Sequence, residues 1–373
     1  MRVLMTGGGT AGHINPALAI AADIRRRVPD AEFLFVGATG RMETELVPKA
    51  GYPLKTVTVK GFSRQLTPAG IAHNVSAAWH AVTAGSACKK ILKEFQPDIA
   101  IGTGGYVSGP ILRAAAKMGI PVVVHESNAL PGVTVKMLAK YATAICLPTE
   151  ASKAKMPSGS CPLVVTGNPL RAEFLSVDKA AARAAIGADD RPLVLSFGGS
   201  LGARPINEAM VEVLAQSAAS GRCQHIHGTG KNGYDDTVAA LQEKGVPTDE
   251  NGISVRPYID NMIDCMAAAD LVICRCGAMT IRELPACGVA SVLIPSPYVA
   301  ENHQFHNAMV LVNKGAAVCI EEKDLDAKTL AAAIDRRLAD PATLRNMGEA
   351  ARKDAILDAS DRIWEVIEKA LNK

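Results

Sequence analysis

The chain has 373 residues, too many for one hydrophobic core and enough for two domains. With 48% hydrophobic and 21% charged residues it has the make-up of an ordinary globular protein, which excludes a disordered or fibrous chain. A net charge of +3 argues against wholesale nucleic-acid binding and leaves room only for a local basic patch.

In chain order, Arg2 to Met5 reads as a short strand rather than the start of a signal peptide. It runs into Gly7-Gly8-Gly9-Thr10-Ala11-Gly12-His13, and a helix follows from about Pro16 to Arg27, with Asn15 and Pro16 as start signals. Phe33 to Val36 is the next strand, then weaker strand and loop from Tyr52 to Phe62, then a helix over roughly Pro68 to Phe95. That helix carries the apolar stripe Ile71, Val75, Ala78, Trp79 and Val82, for which core burial is the default. Exposed, with Lys60, Arg64 and Arg113 nearby, it would suit an anionic membrane surface. Ile99 to Ile101 enters a second glycine loop, Gly102 to Pro110, and a helix to Met118. Val122 to Val124 leads to His125-Glu126-Ser127-Asn128, and strands at Ala144 to Leu147 and Val164-Val165 end the first half.

Gly167-Asn168-Pro169-Leu170-Arg171 breaks the rhythm, and the pattern restarts. Leu193 to Phe197 enters Gly198 to Ala203 and a helix from Ile206 to Gln216; further strands are expected at His225 to His227, Ile253 to Val255, Leu271 to Cys274, Ala290 to Ile294 and Ala317 to Ile320. Alternating strands and helices predict parallel sheets covered on both faces. The boundary is expected at 166/167, giving domains 1–166 and 167–341, with a final helix over 342–373 packing back across the first. Each half opens with strand, glycine loop and helix, and repeats the device later, so two similar domains would face a cleft. The nine cysteines contain no C-x-x-C pair and several sit in apolar runs, the pattern of buried reduced thiols. No run of about 18 apolar residues is present to span a bilayer.

The stretch from Asp270 to Asn307 carries the strongest chemistry. A strand, the turn Arg275-Cys276-Gly277-Ala278 and a helix gather backbone N–H groups where phosphate oxygens can sit. Glu283, one turn inside that helix, can accept two hydrogen bonds from a ribose diol. Gly7-x-Gly9-x-x-Gly12 matches the dinucleotide fingerprint, but the second strand ends Val36-Gly37-Ala38-Thr39 without the required acid, which disfavours an NAD-dependent dehydrogenase. His13, at a loop-to-helix junction, is a candidate base, and Glu126 competes with it. Ser200 and Arg171 are candidates to steady a leaving diphosphate. Asp324-Leu325-Asp326 resembles a metal-holding acidic pair, yet Asp326 precedes a helix and reads better as its N-cap. His303 and His306 lack further ligands, so no metal is expected.

Taken together, Thr6-Gly-Gly-Gly-Thr-Ala-Gly-His13, Gly102-Thr-Gly-Gly-Tyr-Val-Ser-Gly-Pro110, His125-Glu-Ser-Asn-Ala-Leu-Pro-Gly132, Gly167-Asn-Pro-Leu-Arg171, Gly198-Gly-Ser-Leu-Gly-Ala203 and Arg275-Cys-Gly-Ala-Met-Thr-Ile-Arg-Glu283 resemble the bacterial peptidoglycan N-acetylglucosaminyltransferase family (MurG). The resemblance implies an α/β fold of two Rossmann-like domains (GT-B) and an inverting, metal-independent transfer from UDP-GlcNAc to the C4 hydroxyl of undecaprenyl-diphospho-MurNAc-pentapeptide (lipid I), giving lipid II. By position it implies donor contacts at Thr10, Ala11, Gly12, Asn128, Arg171, Ser200, Ile259, Ala278, Met279, Thr280, Ile281, Arg282, Glu283 and Gln304, with Asn307 completing the set. It implies that the first-domain loops, with His13, Gly104, Gly105, Tyr106 and Ser108, face the acceptor diphosphate. The family further implies no cofactor, no nucleic-acid partner and a place on the cytoplasmic face of the inner membrane. Two features depart from the family's pattern, Ala11 for a usual glycine and Ser127 for a commoner glutamine. The alternatives are a UDP-GlcNAc 2-epimerase, a transferase with a soluble acceptor, or a nucleotide-sugar sensor without turnover.

Overall fold

The computed structural model describes residues 1–59 and 84–372. The chain forms two compact units, Met1–Leu170 with Asp358–Lys373, and Arg171–Leu357.

The first unit is built on a parallel sheet of seven strands, β1 Arg2–Thr6, β2 Glu32–Ala38, β3 Leu54–Val57, β4 Ile99–Gly102, β5 Val122–His125, β6 Ala144–Leu147 and β7 Leu163–Val165. Their order is β3-β2-β1-β4-β5-β6-β7. Successive side chains point to opposite faces, so Leu4, Val36, Ala100 and Val124 enter one apolar cluster while Val3, Met5, Phe35, Ile101 and Val123 enter another. Both faces are therefore covered, as a parallel sheet requires. The helix Ala359–Leu371 closes the second cluster with Ile363, Val366, Ile367 and Ala370, an i, i+3, i+4, i+7 stripe.

The second unit repeats the plan with β8 Leu193–Phe197, β9 Gln224–Gly228, β10 Asp249–Glu250, β11 Ile253–Arg256, β12 Leu271–Cys274, β13 Ala290–Leu293 and β14 Ala317–Cys319. The order is β10-β11-β9-β8-β12-β13-β14, parallel except for the two-residue edge strand β10. In each sheet the strand order reverses beside the opening strand, between β1 and β4 and between β8 and β12. Loops leaving the carboxyl ends of those strands diverge there and open a crevice. The four glycine-bearing segments found in the sequence are the loops at these two points.

Three expectations change. The last helix is two: Pro341–Lys353 belongs to the second unit and only Ala359–Leu371 returns to the first. Asp354 interrupts the run because its carboxylate pairs with Arg282 and Lys314. The boundary falls between Leu170 and Arg171 rather than at 166/167, since Gly167 and Asn168 are bonded to the first unit through His125 (3.2 Å) and the Ser127 carbonyl (2.9 Å). A short helix, Glu43–Lys49, appears where none was expected. The stripe from Ile71 to Val82, with Lys60, Arg64 and the start of its helix, lies outside the described residues. Among those described, no helix is long and apolar enough to cross a membrane.

Candidate active site

In the second unit the loops after β8 and β12 border a cavity of about 460 Å³, lined among others by Gly199, Gly202, Arg275, Thr280, Ser296 and Gln304. That volume suits a nucleotide-sized ligand. Gly202 has φ +85°, and a Cβ there would collide with the Thr229 carbonyl, so only glycine lets the loop turn this tightly. Buried Asn207 fixes the same point by donating to Thr229 O at 2.9 Å. The helix Arg204–Ser220 begins directly after the loop, with no acid in its first turn, and presents its positive end toward the cavity rim. Ser200 is exposed on that loop, where its hydroxyl can meet an anion.

Gln304 braces the opposite side. Its Oε1 accepts from Cys276 N (3.2 Å) and Ser296 N (2.9 Å), which leaves the amide NH2 as the group able to donate to a ligand. Asn307 is buried and donates to Cys276 O (3.1 Å), a bond that shapes the turn after β12. Ala278, Met279 and Thr280 are partly exposed along that turn. Glu283 follows one helical turn on, half-buried. Burial raises its carboxyl above the usual range, and the positive charge of Arg171 acts in the opposite sense. Arg171 itself is exposed, its guanidinium 5.3 Å from the centre of the Phe174 ring, and its charge is felt at Glu283.

Two expected donor contacts cannot act through their side chains. The Arg282 guanidinium is buried against Asp354 (3.3 Å), and burial pulls it down to about 10. Ile281 is 2% exposed in the core. Ile259 is also buried, its side chain against Gly228, so that its backbone is what remains to meet a base.

In the first unit the loops after β1 and β4 pack on each other. Gly105 has φ +85°, and a Cβ there would strike the Gly8 carbonyl. His13 lies between the loops, its ring over Gly104 and its main-chain carbonyl accepting from Thr103 Oγ1 at 2.6 Å. Its Nδ1 is 3.1 Å from Gly8 O. A carbonyl can only accept, whereas the Thr10 hydroxyl, 3.3 Å from the same nitrogen, can donate or accept, so the Gly8 contact favours a neutral ring protonated on Nδ1 with its lone pair on Nε2. Thr10, Ala11 and Gly12 open the helix Ala11–Arg27, where the exposed first turn can receive an anion.

Other first-unit candidates are already committed. Glu126 is 3% exposed; its Oε1 accepts from Asn128 N (2.8 Å) and Asn128 Nδ2 (3.1 Å), and its Oε2 from Gly132 N (2.8 Å). A carboxylate so bonded organises the loop, with Asn128 partly exposed beside it. Ser108 is buried and donates to Gly104 O at 2.6 Å, so its hydroxyl holds the loop and does not face a diphosphate. Tyr106 is 66% exposed at the loop tip. The turn at Arg275 and the polar segment around Ser296, both expected from the sequence beside this crevice, do line the cavity, whereas sequence reading missed Glu43 altogether. It placed Asp326 correctly: the carboxylate caps its helix by accepting from Thr329 N (2.6 Å).

Residues 3–147 match the glycosyltransferase family 28 N-terminal domain and residues 193–363 its C-terminal domain. A protein of Bacillus thuringiensis (strain Al Hakam), named UDP-N-acetylglucosamine–N-acetylmuramyl-(pentapeptide) pyrophosphoryl-undecaprenol N-acetylglucosamine transferase 2, is 42% identical over the full length of both chains. A similarly named protein of Thermoanaerobacter sp. (strain X514) is 44% identical over 98% of this chain and 99% of its own. The crystal structure of Acinetobacter baumannii MurG is 27% identical, with a TM-score of 0.79 over 99% of both chains. The chain therefore belongs to the MurG family of N-acetylglucosaminyltransferases, built from the two glycosyltransferase family 28 domains.

Proposed function

We propose that the chain transfers GlcNAc from UDP-GlcNAc to the C4 hydroxyl of lipid I, forming lipid II in peptidoglycan synthesis. Full-length identity of 42% with a relative named for that transfer carries the reading. The cavity at the switch point of the second sheet supports it with a pocket of a size that suits the donor.

In the mechanism this supports, Glu283 accepts from the ribose diol and Gln304 donates to the sugar. The acceptor's C4 oxygen attacks the anomeric carbon from the side opposite the diphosphate. The hydroxyl proton passes to His13 Nε2, the bond from the anomeric carbon to the diphosphate oxygen breaks, and UDP leaves with that electron pair. The product is the β-1,4 linkage, with no covalent enzyme intermediate. Charge growing on the leaving diphosphate is met by the helix end at Arg204, the hydroxyl of Ser200 and the guanidinium of Arg171. These donors do the work a cation would otherwise do, so we expect no metal requirement.

We further propose that the first unit sits on an anionic membrane surface, the cytoplasmic face in a bacterium. The helices Ser108–Lys117 and Val133–Leu138 support this: Val133, Met137 and Tyr141 are exposed large apolar residues, and Arg113, Lys117 and Lys140 are exposed cations beside them. Arg113 lies 5.4 Å over the Tyr141 ring, joining the two sets into one patch.

The deciding experiment incubates the protein with radiolabelled UDP-GlcNAc and a short-chain lipid I analogue, with and without a chelator. Disaccharide-linked lipid formed equally in both arms is expected. Product from a soluble acceptor alone, or epimerised donor without transfer, would overturn the assignment.

A further inference from the structure

Under the first glycine loop lies a carboxylate that the mechanism has not used. Glu43 is 0% exposed. Its Oε2 accepts from Gly9 N at 3.0 Å and its Oε1 from Ala38 N at 2.8 Å. No lysine, arginine or histidine among the described residues pairs with it, so its partners are backbone N–H groups alone. Side chains at Gly8 or Gly37 would occupy the space it fills, since a Cβ on either would collide with its carboxyl or its Cγ. The carboxylate thus takes the place an anion would otherwise take against Gly9 N, and it clamps the end of β2 to the loop that follows β1.

Gly8, the residue held between Glu43 and the second loop, supplies the carbonyl that accepts from His13 Nδ1. We propose that Glu43 is a positioning residue for the transfer: by fixing the Gly8–Gly9 peptides it holds the acceptor for His13 Nδ1–H, and so keeps the Nε2 lone pair in place to take the acceptor's proton. The inference rests on the reading of His13 as the base. The physical argument is that a catalytic group works only when the atoms supporting it are themselves fixed. The loop is rich in glycine and cannot fix itself.

The test compares wild-type full-length protein with Glu43→Gln and His13→Ala. A glutamine offers one acceptor and one NH2 to two N–H groups, so one of the two bonds is lost. Expected is a fall in kcat of tenfold or more with the KM for UDP-GlcNAc within twofold of wild type. Active sites are counted by UDP binding, so that a smaller folded fraction does not pass for slower turnover. Nitrogen-15 shifts of the His13 ring should report the Nδ1–H tautomer in wild type and a mixture in Glu43→Gln. A wild-type ring protonated on Nε2, or a Glu43→Gln protein with unchanged kcat and unchanged tautomer, would overturn the proposal without reference to any unstable variant. Unchanged turnover in His13→Ala would instead remove the reading of His13 as base, a failure visible separately from the tautomer result.

Discussion

Glu126 directly follows a strand and Glu283 lies one turn inside a helix, and the structure surrounds the two carboxylates differently. Glu126 is used up by three N–H donors, two of them backbone groups of residues 128 and 132, a pairing no spacing rule reveals. Glu283 sits on a helix whose strand-turn-helix signature was visible from the apolar run and the glycine, so its placement was readable. A glutamine at 283 keeps the shape but loses a charged acceptor, and a hydrogen bond to a charged group contributes about 1.5–3 kcal/mol. Glu283→Gln is therefore expected to raise the KM for UDP-GlcNAc roughly ten- to a hundredfold while kcat changes little. Because burial raises the Glu283 carboxyl, donor affinity in wild type should weaken as pH falls through that elevated value, earlier than for an ordinary carboxylate. Steady-state kinetics with UDP-GlcNAc checks the first and titration calorimetry with UDP across pH the second; a wild-type KM in the variant would take Glu283 off the ribose. Glu43 escaped notice for a related reason: the acid missing from the end of β2 arrives from a helix five residues past Ala38, and only the fold shows that it reaches back.

At the scale of elements, the glycine loops and the strands that launch them were evident from composition and period, because a parallel strand buried on both faces reads as an unbroken apolar run. The end of the chain was not. A charged run over Ala342 to Leu371 has helical character throughout, and its break at Asp354 depends on Arg282 and Lys314, far away in sequence. The consequence is that the last helix serves the first unit alone. Ile367, fully buried in that unit's core, should cost about 2–5 kcal/mol when cut to alanine. Ile367→Ala is expected to lower the hydrogen-exchange protection of β1, β4 and β5 while UDP binding by calorimetry at 25 °C stays within twofold of wild type. Loss of UDP affinity with no change in β1 protection would show that the helix serves the other unit instead.

For the whole molecule, acid is the stress that separates the two units. Three histidines are buried and pushed down to about 4 from the ordinary 6.5, chiefly by desolvation: His125 in the first unit, His225 and His227 in the second. They stay neutral in the folded chain, where His225 Nε2 bonds Ser217 Oγ and His227 Nδ1 bonds Ser196 Oγ, both at 2.8 Å. Unfolded, each takes a proton below about 6.5. Between pH 6.5 and 4 the unfolded state binds more protons than the native one, so stability falls as pH falls through that window and the loss levels off below 4. At pH 5 the deficit is about 2 kcal/mol per histidine, hence about 4 kcal/mol for the second unit against about 2 kcal/mol for the first. Glu283 works in the opposite direction, since a raised carboxyl favours the folded state as pH drops, and it offsets part of the second unit's loss. Trp364, the only tryptophan among the described residues, lies in the first unit, so its fluorescence would not follow the second. Amide exchange, corrected for the intrinsic rate at each pH, reads both sheets in one sample. Moving from pH 7 to 5 should reduce the protection of β8 and β9 more than that of β4 and β5, and His225→Gln should bring the two closer. If the first sheet loses as much as the second in wild type, the buried pair on β9 is not what sets the acid limit.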